Sequence, residues 1–278
     1  MQAATNVIPA HEPGDSTRAR ALIRFNALLF HGLAAASFLE SAAPLSANRL
    51  VDALAADPDF AIWLDGVWRP QRSACGRQLR GYIEATWPEF DWTTAYEEFC
   101  NGYRQRPGRA GGRTNSALEA LGRCALESQA AVFYRAIASS ADDPALRELA
   151  RAAARDHGAC FEMFKSLFHR CAQRRPVGFA AGCRAVLDSS RAARDIDVAA
   201  AFHPLAAHWY GTPTVTELRY QEFVGRMARL IRRHAELGRV ERLLFSTWLR
   251  RAVPALPPGS ESRGVSARAP QWPLKAAA

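Results

Sequence analysis

Residues 115–172 read NSALEALGRCALESQAAVFYRAIASSADDPALRELARAAARDHGACFEMFKSLFHRCA. Apolar residues recur at intervals of three and four on both sides of a single interruption, the Ser139–Asp143 turn, which is the period of an amphipathic helix rather than of a strand. Asp143 followed by Pro144 is an N-cap and first-turn pair, because the carboxylate accepts from free backbone N–H groups and proline has no N–H to lose there. Two long helices, over about 115–139 and 144–172, joined by a short turn, are therefore expected.

The rest of the chain extends this pattern. Upstream, Leu22, Phe25, Leu29, Leu33 and Ala36 form one stripe of a first helix over 17–41, which Pro44 should end, since proline breaks the backbone hydrogen-bond ladder. Ser46 can cap a second segment running through Leu50, Leu54, Ile62, Trp68, Leu79 and Ile83, with breaks near Pro58 and Pro70. From Trp87 to Arg113 prolines, aromatics and the Gly111/Gly112 cluster mark a connection with a short helix inside it. Beyond Pro176, helices are expected at 177–193 and 196–209, then from a Thr214/Glu217 capping box to Gly238, and finally over 240–251. No stretch alternates apolar and polar residues as a half-buried strand would, so the class is all-α. The expected organisation is a tail over 1–16, a helical bundle over 17–172, C-terminal helices over 173–253 packed on it, and a tail over 254–278. Both tails have a composition that favours disorder.

Composition narrows the function classes. The net charge is +9, but Lys165 and Lys275 are the only lysines, and the arginines are spread along helices rather than gathered with aromatics; a nucleic-acid partner is not expected. Six cysteines stand at wide spacings without a C-x-x-C pair, which supports neither a zinc ribbon nor a disulfide scaffold. The most apolar run, Ala27 to Leu39, is short for a bilayer and interrupted by His31, and the N-terminus is a poor signal peptide. The expectation is a reduced, cytoplasmic protein with no membrane partner. Phosphate loops, dinucleotide fingerprints, nucleophile elbows and H-E-x-x-H motifs are absent from the sequence.

The residues that could carry chemistry lie in the opening stretch. Glu127 and Tyr134, two turns apart on one helical face among Ala, Val and Phe, put a carboxylate where burial is costly unless it is paired, protonated or metal-bound. On the next helix, Asp156, His157, Cys160 and Phe164 occupy positions of the pattern D-E-x-x-H-x-x-x-F. Here the chain resembles the ferritin-like superfamily, in which one helix of each hairpin supplies a metal-binding Glu and the next supplies E-x-x-H. The resemblance covers 117–172 well and 19–85 weakly, and implies a four-helix bundle of two hairpins with additional C-terminal helices. The haem-oxygenase-like bundle shares helix lengths and inward ligands; the E-x6-Y pair and the Asp156-to-Phe164 match favour the ferritin-like class.

Against that pattern the ligand positions of the fourth helix hold His157 and Cys160, and the comparable pair of the second helix is Arg72 and Cys75. Aligning Ala21-Leu22-x-Arg24 with Ala120-Leu121-x-Arg123 sets Leu28 opposite Glu127, so the first carboxylate is expected to be missing. A di-iron site needs about four carboxylates and two histidines. One expectation is a binding or accessory protein acting through the former metal cavity or an outer helical face, taking a small hydrophobic molecule or a protein partner; its apolar faces also admit a homodimer. The other is an iron- or zinc-dependent oxidase or hydroxylase with Glu127, His157, Cys160 and His31 as ligands and Tyr134 as the neighbouring proton or electron donor. The structural alternative makes His31 a core histidine bonded to Glu127, Cys160 an apolar filler and His157 a surface residue.

Overall fold

A computed structural model describes residues 19–54, 57–105, 115–209 and 218–232. The expected tails, the Thr214/Glu217 box, Gly238 and the helix over 240–251 lie outside them. Among the described residues the chain is all-helical. A helical stretch at 19–23 gives way to a turn at Arg24 and Phe25, and Asn26 then caps a new helix, α1 (Ala27–Ala53), by accepting from the Leu29 N–H at 3.1 Å. Leu22 and Phe25 are consequently exposed and do not continue the stripe of Leu29 and Leu33.

Pro44 does not end this helix; it sits inside α1, and position 46 is helical too. An internal proline costs about 3 kcal/mol in lost hydrogen bonding and ring contact. The offset lies downstream, where Ala47, Leu50 and Leu54 are buried together with Phe60, Leu64 and Trp68. The apolar segment thus extends over Ala27–Leu45, long and apolar enough by itself to cross a membrane, and 67% of its most apolar window is buried inside the molecule. It is the core helix of the bundle.

Asp57 caps α2 (Pro58–Trp63), accepting from Phe60 N–H at 3.1 Å. A wider π-helical turn, Leu64–Trp68, leads without interruption into α3 (Arg69–Thr86). Pro70 therefore falls in the first turn of α3, where its missing N–H has no partner to lose. α3 packs along α1, and the two backbones come close where Gly76 meets Ser41: a Cβ on Gly76 would lie 2.9 Å from the Ser41 backbone nitrogen. Only glycine permits that approach.

The connection after Trp87 contains α4 (Trp92–Gln105). It is fastened by the Trp92 indole, which donates to Ser37 Oγ of α1 at 2.8 Å while Arg80 of α3 covers its ring at 4.3 Å. α5 (Ser116–Ser140) and α6 (Pro144–Arg174), capped by Asn115 and Asp143, form the second hairpin and the most extensive helix pair among the described residues. Asp143 also accepts from the Tyr82 hydroxyl of α3 at 2.9 Å, which pins the two hairpins together at one end.

The remaining helices pack on this framework. α7 (Phe179–Ala192) lies on α5, where Gln129 donates to Ser190 Oγ at 2.6 Å. A second π turn, Ala193–Val198, continues it into α8 (Ala199–His208), which contacts α4 and α1. His208 meets Glu98 of α4 at 2.6 Å. α9 (Tyr220–Arg232) closes the end of the bundle against α1 and α5.

Candidate functional site

Each of the four central helices contributes a polar side chain to the same buried level. From α1 comes Glu40, from α3 Arg72 and Cys75, from α5 Glu127 and Tyr134, and from α6 His157 and Cys160; all are buried. The i, i+3 spacings of Arg72/Cys75 and His157/Cys160 and the i, i+7 spacing of Glu127/Tyr134 keep each pair on one helical face. The Ser41–Gly76 approach, one residue beyond Glu40 and one turn beyond Arg72, lets the shorter carboxylate reach the guanidinium.

His157 is the hub. Its Nδ1 is 2.6 Å from Glu127 Oε2 and its Nε2 is 2.8 Å from Glu40 Oε1. Carboxylate oxygens accept, so these two contacts favour the form of the ring that donates from both nitrogens, the imidazolium. Burial opposes its charge, and so does Arg72, but Glu40 and Glu127 outweigh both and raise its pKa above the ordinary histidine value.

Arg72 supplies the second cation. Its Nη1 donates to Glu40 Oε2 at 3.2 Å and lies against the His157 ring, 2.8 Å from Nδ1 and 2.5 Å from Nε2, while Nη2 approaches Cys160 Sγ at 3.9 Å. Its Nε is buried without a hydrogen-bond partner among the described residues. Burial works against the guanidinium charge, yet Glu40 and Glu127 raise its pKa.

The carboxylates are held in the same way. Burial would protonate Glu40, but Arg72 and His157, with the Tyr134 hydroxyl donating at 3.2 Å, hold its pKa down to about 2. For Glu127 burial is again opposed, here by His157, Arg72 and the Trp68 indole, which donates to Oε1 at 3.2 Å, and its pKa falls. Two anions and two cations cancel, which is the condition under which buried charges are tolerated.

The thiols and the phenol stay protonated. Burial, reinforced by Glu40, pushes Cys75 up to about 12, and burial with Glu127 does the same to Cys160. Burial and Glu40 raise Tyr134 well above the usual phenol range. The Tyr134 ring stacks on His157 with centroids 5.3 Å apart.

The arrangement brings together Glu127, Tyr134, His157 and Cys160, and it leaves His31 out. His31 lies nine residues before Glu40 on α1, an axial rise of about 13 Å. Its Nδ1 is 2.8 Å from the Ala27 carbonyl oxygen, not bonded to Glu127, and its ring stacks on Phe202 at 5.0 Å. Burial lowers its pKa. His157, read in the structural alternative as a surface residue, is buried at the centre.

Glu40 is the residue the sequence reasoning missed. The register drawn from Ala21 and Arg24 placed Leu28 opposite Glu127, but the chain turns at 24–25 before α1 begins, so no helical register carries from one side of the turn to the other. Leu28 packs instead with Phe202, Phe223 and Met227. The signal that could have found Glu40 is a carboxylate directly after Phe38 and Leu39 and before Ala42 and Ala43, at the end of the most apolar run.

The donor set does not fit a resident metal. A guanidinium sits beside Glu40 and against the His157 ring, where its charge would repel a metal cation. Among the described residues no group of three or more His, Cys, Asp or Glu side chains is arranged to hold an ion. Comparison of the chain with protein-family models, curated proteins and solved structures gives no match in any of the three.

Proposed function

We propose that this chain is a divergent ferritin-like bundle that acts as a binding or accessory protein, its centre closed by an internal charge network in place of the di-iron ligand set. The observation that carries the reading is the Arg72 guanidinium lodged against both Glu40 and His157. Two hairpins with a connecting helix between them, and one inward polar level fed by all four helices, support the ferritin-like assignment. The same filling of the centre shifts the binding role from the former metal cavity to the outer helical faces, where a small hydrophobic molecule, a protein partner or a second copy would engage. Six free thiols are consistent with a reduced, cytoplasmic setting.

The test is elemental analysis of the purified chain after expression in iron- and zinc-supplemented medium, with thermal melts before and after added iron(II), zinc or manganese. A folded protein with trace metal and an unmoved melting temperature supports the reading. Near-stoichiometric iron or zinc that disappears in Glu127→Ala would overturn it in favour of the oxidase or hydroxylase, with Glu127, His157 and Cys160 as ligands and Tyr134 beside them.

A further inference from the structure

A groove of about 500 Å³ opens on the face of the bundle where the π turn and the start of α3 run beside α6. The volume falls in the range of small-molecule sites. Its walls are Trp63, Val67, Ala159 and Met163, and Gln71 and Cys160 also line it. The π turn contributes directly: Val67, inside it, is an exposed large hydrophobic, and such turns recur at functional sites.

The charges at the rim decide what enters. Glu162 is paired with Lys165, and Arg170 bonds Asp57 at 2.9 Å and Ser166 at 3.0 Å. Neither offers an uncompensated charge to a ligand. Besides these two and Ser166, which accepts from Arg170, the polar groups lining the groove are the Gln71 amide and the Cys160 thiol, with Sγ 3.8 Å from Gln71 Oε1. Behind Cys160 stands the Arg72 Nη2, part of a network already neutral in total, so that wall offers an ionised ligand no counter-charge.

We infer that this groove binds a small, uncharged, mainly apolar molecule through Trp63, Val67 and Met163, with one hydrogen-bonding group directed to Gln71. The inference rests on the binding-protein reading and names its site and ligand class.

The probe is 1-naphthol, which is neutral, aromatic and carries one hydroxyl, compared with 1-naphthoate and 1-naphthylmethylamine, its anionic and cationic counterparts. Binding to the full chain is followed by calorimetry. Wild type should bind 1-naphthol and reject both ions by tenfold or more. Ala159→Trp fills the groove from an exposed position of α6, where folding is not at stake, and should abolish binding. Gln71→Leu should weaken 1-naphthol about fivefold, the worth of one hydrogen bond, without affecting naphthalene.

Binding that survives Ala159→Trp, or equal affinity for all three probes, overturns the inference. So does a wild-type dimer that rejects 1-naphthol and becomes monomeric in Ala159→Trp, because a second copy then occupies the groove. Absence of 1-naphthol binding to a metal-free wild type ends the groove assignment and leaves the accessory reading standing, whereas stoichiometric metal ends that reading itself.

Discussion

Two buried histidines on the inner side of the bundle have opposite environments. His157 stands between two carboxylates with its pKa raised, and His31 lies against Phe202 and Phe223 with its pKa lowered. Burial presses both toward the neutral form; only at His157 do neighbouring anions reverse the outcome. A histidine in an apolar helix therefore says little about chemistry until the carboxylates around it are known.

The comparison is broken most severely at Arg72. Arg72→Ala leaves two carboxylates facing one imidazolium and should lose about 3–5 kcal/mol of unfolding free energy in urea titrations. The variant removes the cation that lies against Glu40 and His157, so added zinc should raise its melting temperature while wild type stays unmoved. Replacing the whole set by Glu40→Leu, Arg72→Met, Glu127→Leu and His157→Phe should cost less than Arg72→Ala alone, because no unpaired charge remains. A combined variant weaker than the single one would show that the network contributes more than its own cancellation.

His157→Phe should cost about 3 kcal/mol, the low end of a broken buried pair. The matching His31→Phe, which removes one bond to a carbonyl and keeps the aromatic stack, should stay under about 1.5 kcal/mol; equal losses in the two variants would erase the distinction. Trp68→Phe removes the indole donor from ionised Glu127 and should cost about 2 kcal/mol, measured the same way.

The smallest effect is the pH dependence, and its sign separates the two histidines. For His157 the folded pKa lies above 6.5, so its stabilisation is complete below 6.5 and is lost as pH rises through the folded value. For His31 the folded pKa lies below 6.5, so the unfolded chain takes up a proton first and stability falls as pH drops from 6.5 toward that value. His31→Phe should then flatten the profile on the acid side of 6.5, and His157→Phe on the alkaline side. Below these limbs Glu40, whose stabilisation is present above about 4.5, loses it as pH falls toward about 2, and Glu127, also lowered, loses its own as pH falls through its folded value; a further decline is expected in His31→Phe and a weaker one in His157→Phe, which lacks the imidazolium that lowers both carboxylates.

The second hairpin was legible because its signals are local. Asn115, Asp143 and Pro144 cap and start helices by direct contact with neighbouring backbone, and Glu127, Tyr134, His157 and Cys160 inherit their common level from those two helices. Arg72 and Cys75 were named only as the residues that the ferritin-like resemblance sets at the second helix's ligand positions, and the part the guanidinium plays among the carboxylates was not legible there. What escaped is tertiary: Pro44 reads as a stop until the burial of Leu50 and Leu54 is known, and Glu40 is hidden by a register drawn across the turn at 24–25. His31 was placed on the ligand face by that same register, and its aromatic partners Phe202 and Phe223 come from helices far along the chain.

The guanidinium at the centre has a bearing on supply. A cation that is part of the polypeptide arrives with every copy at synthesis, in fixed ratio, and no chelator, competing ion or shortage of iron can withdraw it. On the binding-protein reading proposed above, the fold of this bundle is thereby insulated from the trace-element state of its surroundings.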